Sequence, residues 1–137
     1  MTHCFTTDRP LRFGDCDFSG TAYYPAYLNL LNGVVEEFWT WLGWSWHKVI
    51  PSEGWGTPTV HLSCDFKKAS LMGDLLTFRL SVLKVGRSSL RLGHTIHCGD
   101  EQRWSAEQVL AASHLATRTA IPWPPEVRTR LESLLAT

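Results

Sequence analysis

The chain has 137 residues, with 13 basic and 13 acidic side chains and a formal net charge of zero. That balance excludes a polybasic surface for nucleic acid or anionic membrane, and no apolar run reaches the roughly 18 residues of a membrane span. Met1 to Asp8 is polar with no apolar h-region after it, so a single cytoplasmic domain over residues 1–137 is expected, long enough to bury a core.

In chain order, residues 3–14 read as a first strand, ragged in pattern, and Asp15 to Tyr24 as a loop. Pro25 suits the first position of a helix, where its missing N–H costs nothing. From there Tyr27, Leu30, Leu31, Val34, Val35, Phe38, Trp41 and Leu42 recur at helical spacing. Leu28 and Trp39 widen that stripe, which predicts a buried helix, and Gly43 is its stop. Residues 45–58, with Pro51, Gly54, Gly56 and Pro58, read as an irregular link. The period then changes to two. Thr59 to Lys67, residues 76–82 and residues 90–98 read as strands, the last two with their apolar bulk on even positions. Gly86-Arg87-Ser88 and Gly99-Asp100-Glu101 supply turns. Ala106 to Ala116 carries good helix formers, but the regular strand spacing favours a last strand over 104–119. Pro122, Pro124 and Pro125 break the chain, and Glu126 to Leu135 reads as a short terminal helix.

This order predicts an α+β fold: a curved antiparallel sheet of about five strands wrapped around one long buried helix, plus the short C-terminal helix. Such a sheet leaves open edges, which two copies paired edge to edge would cover. Cys4, Cys16, Cys64 and Cys98 fit no zinc spacing and read as free thiols. His94 and His97 point to opposite faces of a strand, so no metal site is expected. Among seven tryptophans, Trp39, Trp41, Trp44 and Trp46 read as core and interface packing in preference to a ligand pocket.

The candidate chemistry lies in the run Arg12 to Leu28. Asp15 and Asp17 sit two residues apart, a Gly-containing loop follows, and Pro25 opens the apolar helix. An anionic side chain thereby meets the start of a helix, whose first N–H groups have no internal partner and carry about half a positive charge. That is a hydrolytic layout. Pro25 removes one donor, so Tyr24 and the loop before it must supply the N–H groups, and Gly20 lets backbone approach a ligand closely. Asp15 reads as a hydrogen-bonding loop brace.

Phe13-Gly14-Asp15-Cys16-Asp17, with Gly20, Tyr24-Pro25 and Tyr27, resembles the hotdog-fold acyl-CoA thioesterases, and within them the 4-hydroxybenzoyl-CoA thioesterase family. A weaker likeness continues through Gly56-Thr57-Pro58, and the topology matches over about residues 5–120. The resemblance implies Asp17 as the catalytic carboxylate and the Tyr24 N–H as the donor to the thioester carbonyl. It implies Thr57, Asn32 and Tyr27 around the substrate, Asn32 standing where that family carries an acid against a ring hydroxyl. It implies Arg87, Ser88 and Ser89 at the CoA phosphates. The expected activity is hydrolysis of an aromatic or short acyl-CoA to free acid and CoA. CoA comes with the substrate, no separate cofactor or metal is implied, and the expected assembly is a homodimer or a homotetramer of paired dimers with pockets shared between chains. Asp17, with an ordinary pKa of about 3.9, is a weak general base. As a nucleophile it suffers less, because a thiolate leaves easily, and direct attack is favoured over base-activated water. Two other functions stay open: an enoyl-thioester hydratase, disfavoured because no histidine lies in 12–43, and a non-catalytic acyl-CoA-binding module.

Overall fold

A computed structural model describes residues 3–135. Along the chain run β1 (Phe5–Pro10), a 3-10 turn (Phe13–Asp15), α1 (Tyr24–Leu42), α2 (Trp46–Glu53), β2 (Trp55–Gly56), β3 (Thr59–Phe66), β4 (Leu75–Val85), β5 (Ser89–Cys98), β6 (Glu101–Ala111), β7 (Ser113–His114), β8 (Thr119–Ala120) and α3 (Pro125–Glu132). Five strands form one antiparallel sheet in the order β1-β4-β5-β6-β3, and β2-β7-β8 form a small second sheet.

The period-two pattern translates directly into register. Phe78 faces Ile96 and Ile96 faces Trp104; Leu80 faces His94 and His94 faces Ala106; Leu92 joins Val82 to Gln108. These residues are buried on one face of the sheet. The stripe of α1 is buried in the same core: Ala26, Tyr27, Leu31, Val34, Val35, Phe38, Trp39 and Leu42. Trp41 departs from the predicted stripe and is 44% exposed. It meets Phe5 at the edge of β1 and lies under the Arg130 guanidinium at 5.1 Å, a placement that suits a large amphipathic ring. Gly43 ends the helix in the left-handed region, φ 113°, and its N–H reaches back to Trp39 and Thr40.

Residues 45–58 are not an irregular link, because α2 forms inside them. Its first turn closes with Val49 N–H donating to the Ser45 carbonyl at 2.9 Å. Pro51 falls near the end of this eight-residue helix, where it removes only one late hydrogen bond, and Gly54 at φ 72° stops it. The first strand is shorter than predicted and gives way to the 3-10 turn. The last long strand ends at Ala111, and the remainder of 104–119 folds into β7, a turn and the start of β8. α3 stops at Glu132. Three tryptophans serve packing: Trp39 stacks on Trp123 at 5.8 Å, and Trp55 meets both edge-on. The four cysteines are free and half-buried, and no helix of the described residues is long and apolar enough to cross a membrane.

Candidate active site

The loop before α1 is held at both ends. Buried Leu11 donates to the Asp74 carbonyl and accepts from the Gly73 N–H, both at 2.8 Å. Asp15 braces the turn as expected, its Oδ2 accepting from the Arg12 N–H at 3.0 Å. The chain then makes a tight reversal: Asp17 N–H donates to the Thr21 carbonyl, and Gly20 N–H donates to the Asp17 carbonyl, both at 3.0 Å. Gly20 takes φ 78° here, a conformation open to glycine at little cost. Segment 70–72 clamps the reversal, with Ala22 N–H on the Ser70 carbonyl at 2.9 Å and Met72 N–H on the Gly20 carbonyl at 3.0 Å.

Asp17 stands at the tip of this reversal, exposed to solvent. Its Oδ1 accepts from the Ser19 N–H at 2.9 Å and from the Ser19 hydroxyl at 2.5 Å. Those two bonds, the hydroxyl first, hold the carboxyl below its ordinary range. Oδ2 takes no hydrogen bond from the described residues. Beside it opens a hollow of about 340 Å³ lined by Phe13, Cys16, Phe18, Gly20 and Met72.

α1 begins at Tyr24, seven residues after Asp17. Tyr23 caps it without a side-chain hydrogen bond, Pro25 occupies the first turn, and Ala26 N–H turns back to the Tyr23 carbonyl at 2.9 Å. The Tyr24 N–H has no acceptor among the described residues, so this one donor stays available at the positive end of the helix. Tyr24 belongs to the same loop–helix junction as Asp17 but does not line the hollow beside it.

The other predicted residues are spread over the protomer. Tyr27 is 3% exposed and stacks on Trp104 at 5.8 Å, so within one chain it is a core residue with no open face for a ligand; three residues on from Tyr24, it has turned inward. Asn32 is exposed on α1. Thr57 lies between β2 and β3 in a second, larger hollow of about 600 Å³, mainly apolar, with Trp46, Ile50, Leu115 and Arg118 in its wall. Its Oγ1 and the Trp46 Nε1 are both buried without a partner among the described residues. Arg87, Ser88 and Ser89 form the β4–β5 hairpin, with Arg87 exposed. The hairpin backbone is fixed by the C-terminal segment, through Trp123 N–H on the Arg87 carbonyl at 3.0 Å and Trp123 Nε1 on the Ser89 carbonyl at 3.0 Å.

Within one chain Asp17 and Tyr24 lie on the same loop and helix start, while Thr57 lines a different hollow and Arg87 sits on the β4–β5 hairpin. Sequence reading missed Ser19, Trp46 and Arg118. Ser19 had a local signal, since an Asp followed two residues later by a hydroxyl is a turn-forming pair. Trp46 had been placed with the packing tryptophans, and Arg118 carried no periodic signal at all. No group of three His, Cys, Asp or Glu side chains among the described residues could hold a metal.

Residues 11–131 match the family model described as the thioesterase-like superfamily. A 1,4-dihydroxy-2-naphthoyl-CoA hydrolase of Synechococcus elongatus is 24% identical over 125 residues, covering 90% of this chain and 92% of its own. A 4-hydroxybenzoyl-CoA thioesterase of a Pseudomonas species is 26% identical over 98 residues, 70% of each chain. Among solved structures, a 1,4-dihydroxy-2-naphthoyl-CoA thioesterase from Synechocystis superposes with a TM-score of 0.86 at 22% identity, covering 95% of this chain and 96% of its own.

Proposed function

The chain belongs to the thioesterase-like superfamily, and from that premise we propose that it hydrolyses an aromatic acyl-CoA to the free acid and CoA. It is a thioester hydrolase, as its named relatives are. Two of those relatives act on hydroxylated aromatic acyl groups, which supports an aryl substrate here, within a hotdog fold whose sheet wraps α1. What supports the mechanism is an exposed Asp17 whose Oδ1 is held by Ser19, seven residues ahead of a helix whose Tyr24 N–H has no acceptor among the described residues.

Of its two possible roles, nucleophile and general base, we favour the nucleophile for Asp17. A carboxylate held below its ordinary range is a still weaker base near neutrality. Its charge is fully developed at that pH, which suits attack. Oδ2 bonds to the acyl carbon while the carbonyl oxygen takes the Tyr24 N–H. The C–S bond then breaks, and its electron pair leaves as the CoA thiolate. Water cleaves the resulting acyl-aspartyl anhydride, freeing the acid and the Asp17 carboxylate; one proton goes to the thiolate and one to solvent. A fixed oxyanion donor of this kind commonly supplies about 10²–10³ in rate.

The acyl group needs walls that the Asp17 hollow alone lacks. Phe13, Phe18, Tyr24, Leu71 and Met72 are exposed around it, and Val60 and Phe66 are exposed on β3, a sheet edge with one neighbour. Pairing two copies along β3 would cover these side chains and carry the Thr57 hollow of one chain toward the Asp17 of the other. In that assembly Thr57 sits near the thioester, Asn32 near the ring, and Arg87 with Ser88 and Ser89 meets the CoA phosphates. Tyr27 supports the helix start from within the core.

The test is thiol release over benzoyl-, hydroxybenzoyl-, phenylacetyl- and short aliphatic-CoA esters, with Asp17→Asn beside the parent chain. Turnover of the aromatic esters, reduced by at least about 10³ in the variant, is expected. Binding of the esters without thiol release would mean a carrier module instead.

A further inference from the structure

We propose that Ser19 is a positioning residue for the Asp17 carboxylate, fixing Oδ1 so that Oδ2 is the oxygen presented to the acyl carbon; this rests on the reading of Asp17 given above. The geometry is a short chain of hydroxyls. Ser19 reaches Oδ1 through both its N–H and its Oγ. Its Oγ also lies 2.8 Å from the Thr21 Oγ1. A serine hydroxyl has a single proton. With that proton on the carboxylate, the bond between the two hydroxyls must run from Thr21 to Ser19. The Thr21 carbonyl meanwhile holds the Asp17 N–H. The carboxylate is thereby pinned at its own backbone and at one oxygen, and it cannot rotate to exchange its two oxygens without breaking two bonds. A reacting group held at one orientation saves the cost of finding it in each turnover.

The Thr21 backbone adds a smaller contribution in the same direction, and the neighbouring side chains among the described residues are engaged elsewhere. Asp15, on the same loop, turns its Oδ2 to the Arg12 N–H. Segment 70–74, packed across the reversal, brings Leu71, Met72 and Asp74, and the Asp74 carboxylate is taken by Arg103 at 2.8 Å and by the Leu71 N–H at 2.9 Å. The 3-10 turn contributes Phe13. No cation faces the Asp17 carboxylate from these elements, so the Ser19 bonds are the first causes of its lowered pKa.

The experiment compares pH profiles of kcat and KM for the parent chain, Ser19→Ala, Ser19→Thr and Asp17→Asn, on whichever ester of the panel turns over fastest. Ser19→Ala should lower kcat about tenfold with KM little changed, and the acid limb of kcat should move to higher pH, because the carboxyl loses the hydroxyl bond, the larger of the two from Ser19 that favour its ionised form, while the residue-19 N–H remains. Ser19→Thr, which keeps the hydroxyl, should restore both. Should the alanine variant lose its cooperative melt, Ser19→Cys, similar in size with a weaker donor, is read on the same limb. An inactive Asp17→Asn beside a Ser19→Ala of unchanged kcat and unchanged acid limb overturns the role of Ser19 alone. An Asp17→Asn with parental turnover overturns both that role and the reading of Asp17.

Discussion

His94, buried in the sheet, is a group through which acid reaches the fold. It sits 3% exposed on the inner face of β5, its Nε2 2.8 Å from the Gln108 Oε1, while the Gln108 amide donates to the Thr59 Oγ1 at 2.9 Å. Burial pushes its pKa down to about 4, against a smaller upward pull from Gln108. The folded state thus binds the proton later than the unfolded state, whose histidine titrates near 6.5. The unfolded chain holds more protons between those values, so stability rises with pH across that window. It is fully present above about 6.5, is lost progressively as pH falls toward 4, and changes no further from this group below that. The loss amounts to roughly 3 kcal/mol at one unit per 1.36 kcal/mol. Thermal melts at pH 7, 5.5 and 4.5 should show a falling Tm in the parent chain and a shallower fall in His94→Gln. Equal slopes would remove His94 from the acid response. The lowered pKa of Asp17 acts in the same sense but at lower pH, and it comes from groups beside it in sequence, Ser19 first, whereas the burial of His94 is a property of the folded sheet.

At the scale of elements, what could be read was whatever repeats with a period. The helical spacing of the α1 stripe, the alternation of the even-numbered apolar residues of β4 and β5, and the regular strand spacing that favoured a strand over 104–119 all recur in the fold. α2 was hidden by its own punctuation: Pro51 and Gly54 lie within nine residues of its start, and a proline is tolerated late in so short a helix because little of the hydrogen-bond ladder remains to break. β2, β7 and β8 are two residues each, too short for any period to register, yet β2 and β7 contribute to the wall of the Thr57 hollow. The loop and the helix start at Tyr24 were legible because their parts are contiguous. The hollow around Thr57 was not, because it gathers residues from Trp46 to Arg118, and that proximity is a property of the folded chain alone.

For the whole molecule, the exposed apolar side chains around Asp17 and along β3 set the expectation for assembly. A protein of 15.5 kDa in this form should scatter light as two or four copies at micromolar concentration, and a stable monomer with full thiol-release activity would break the link between assembly and site. The central claim concerns a bond, and it is tested most directly by a single turnover with enzyme in excess, in ¹⁸O-water, quenched in acid and followed by mass spectrometry of the peptide bearing Asp17. Acyl mass or ¹⁸O on that peptide, appearing with the release of CoA, is the predicted result. Stoichiometric CoA release with label in the free acid only, and neither adduct nor label on the peptide at any time, would contradict attack by Asp17.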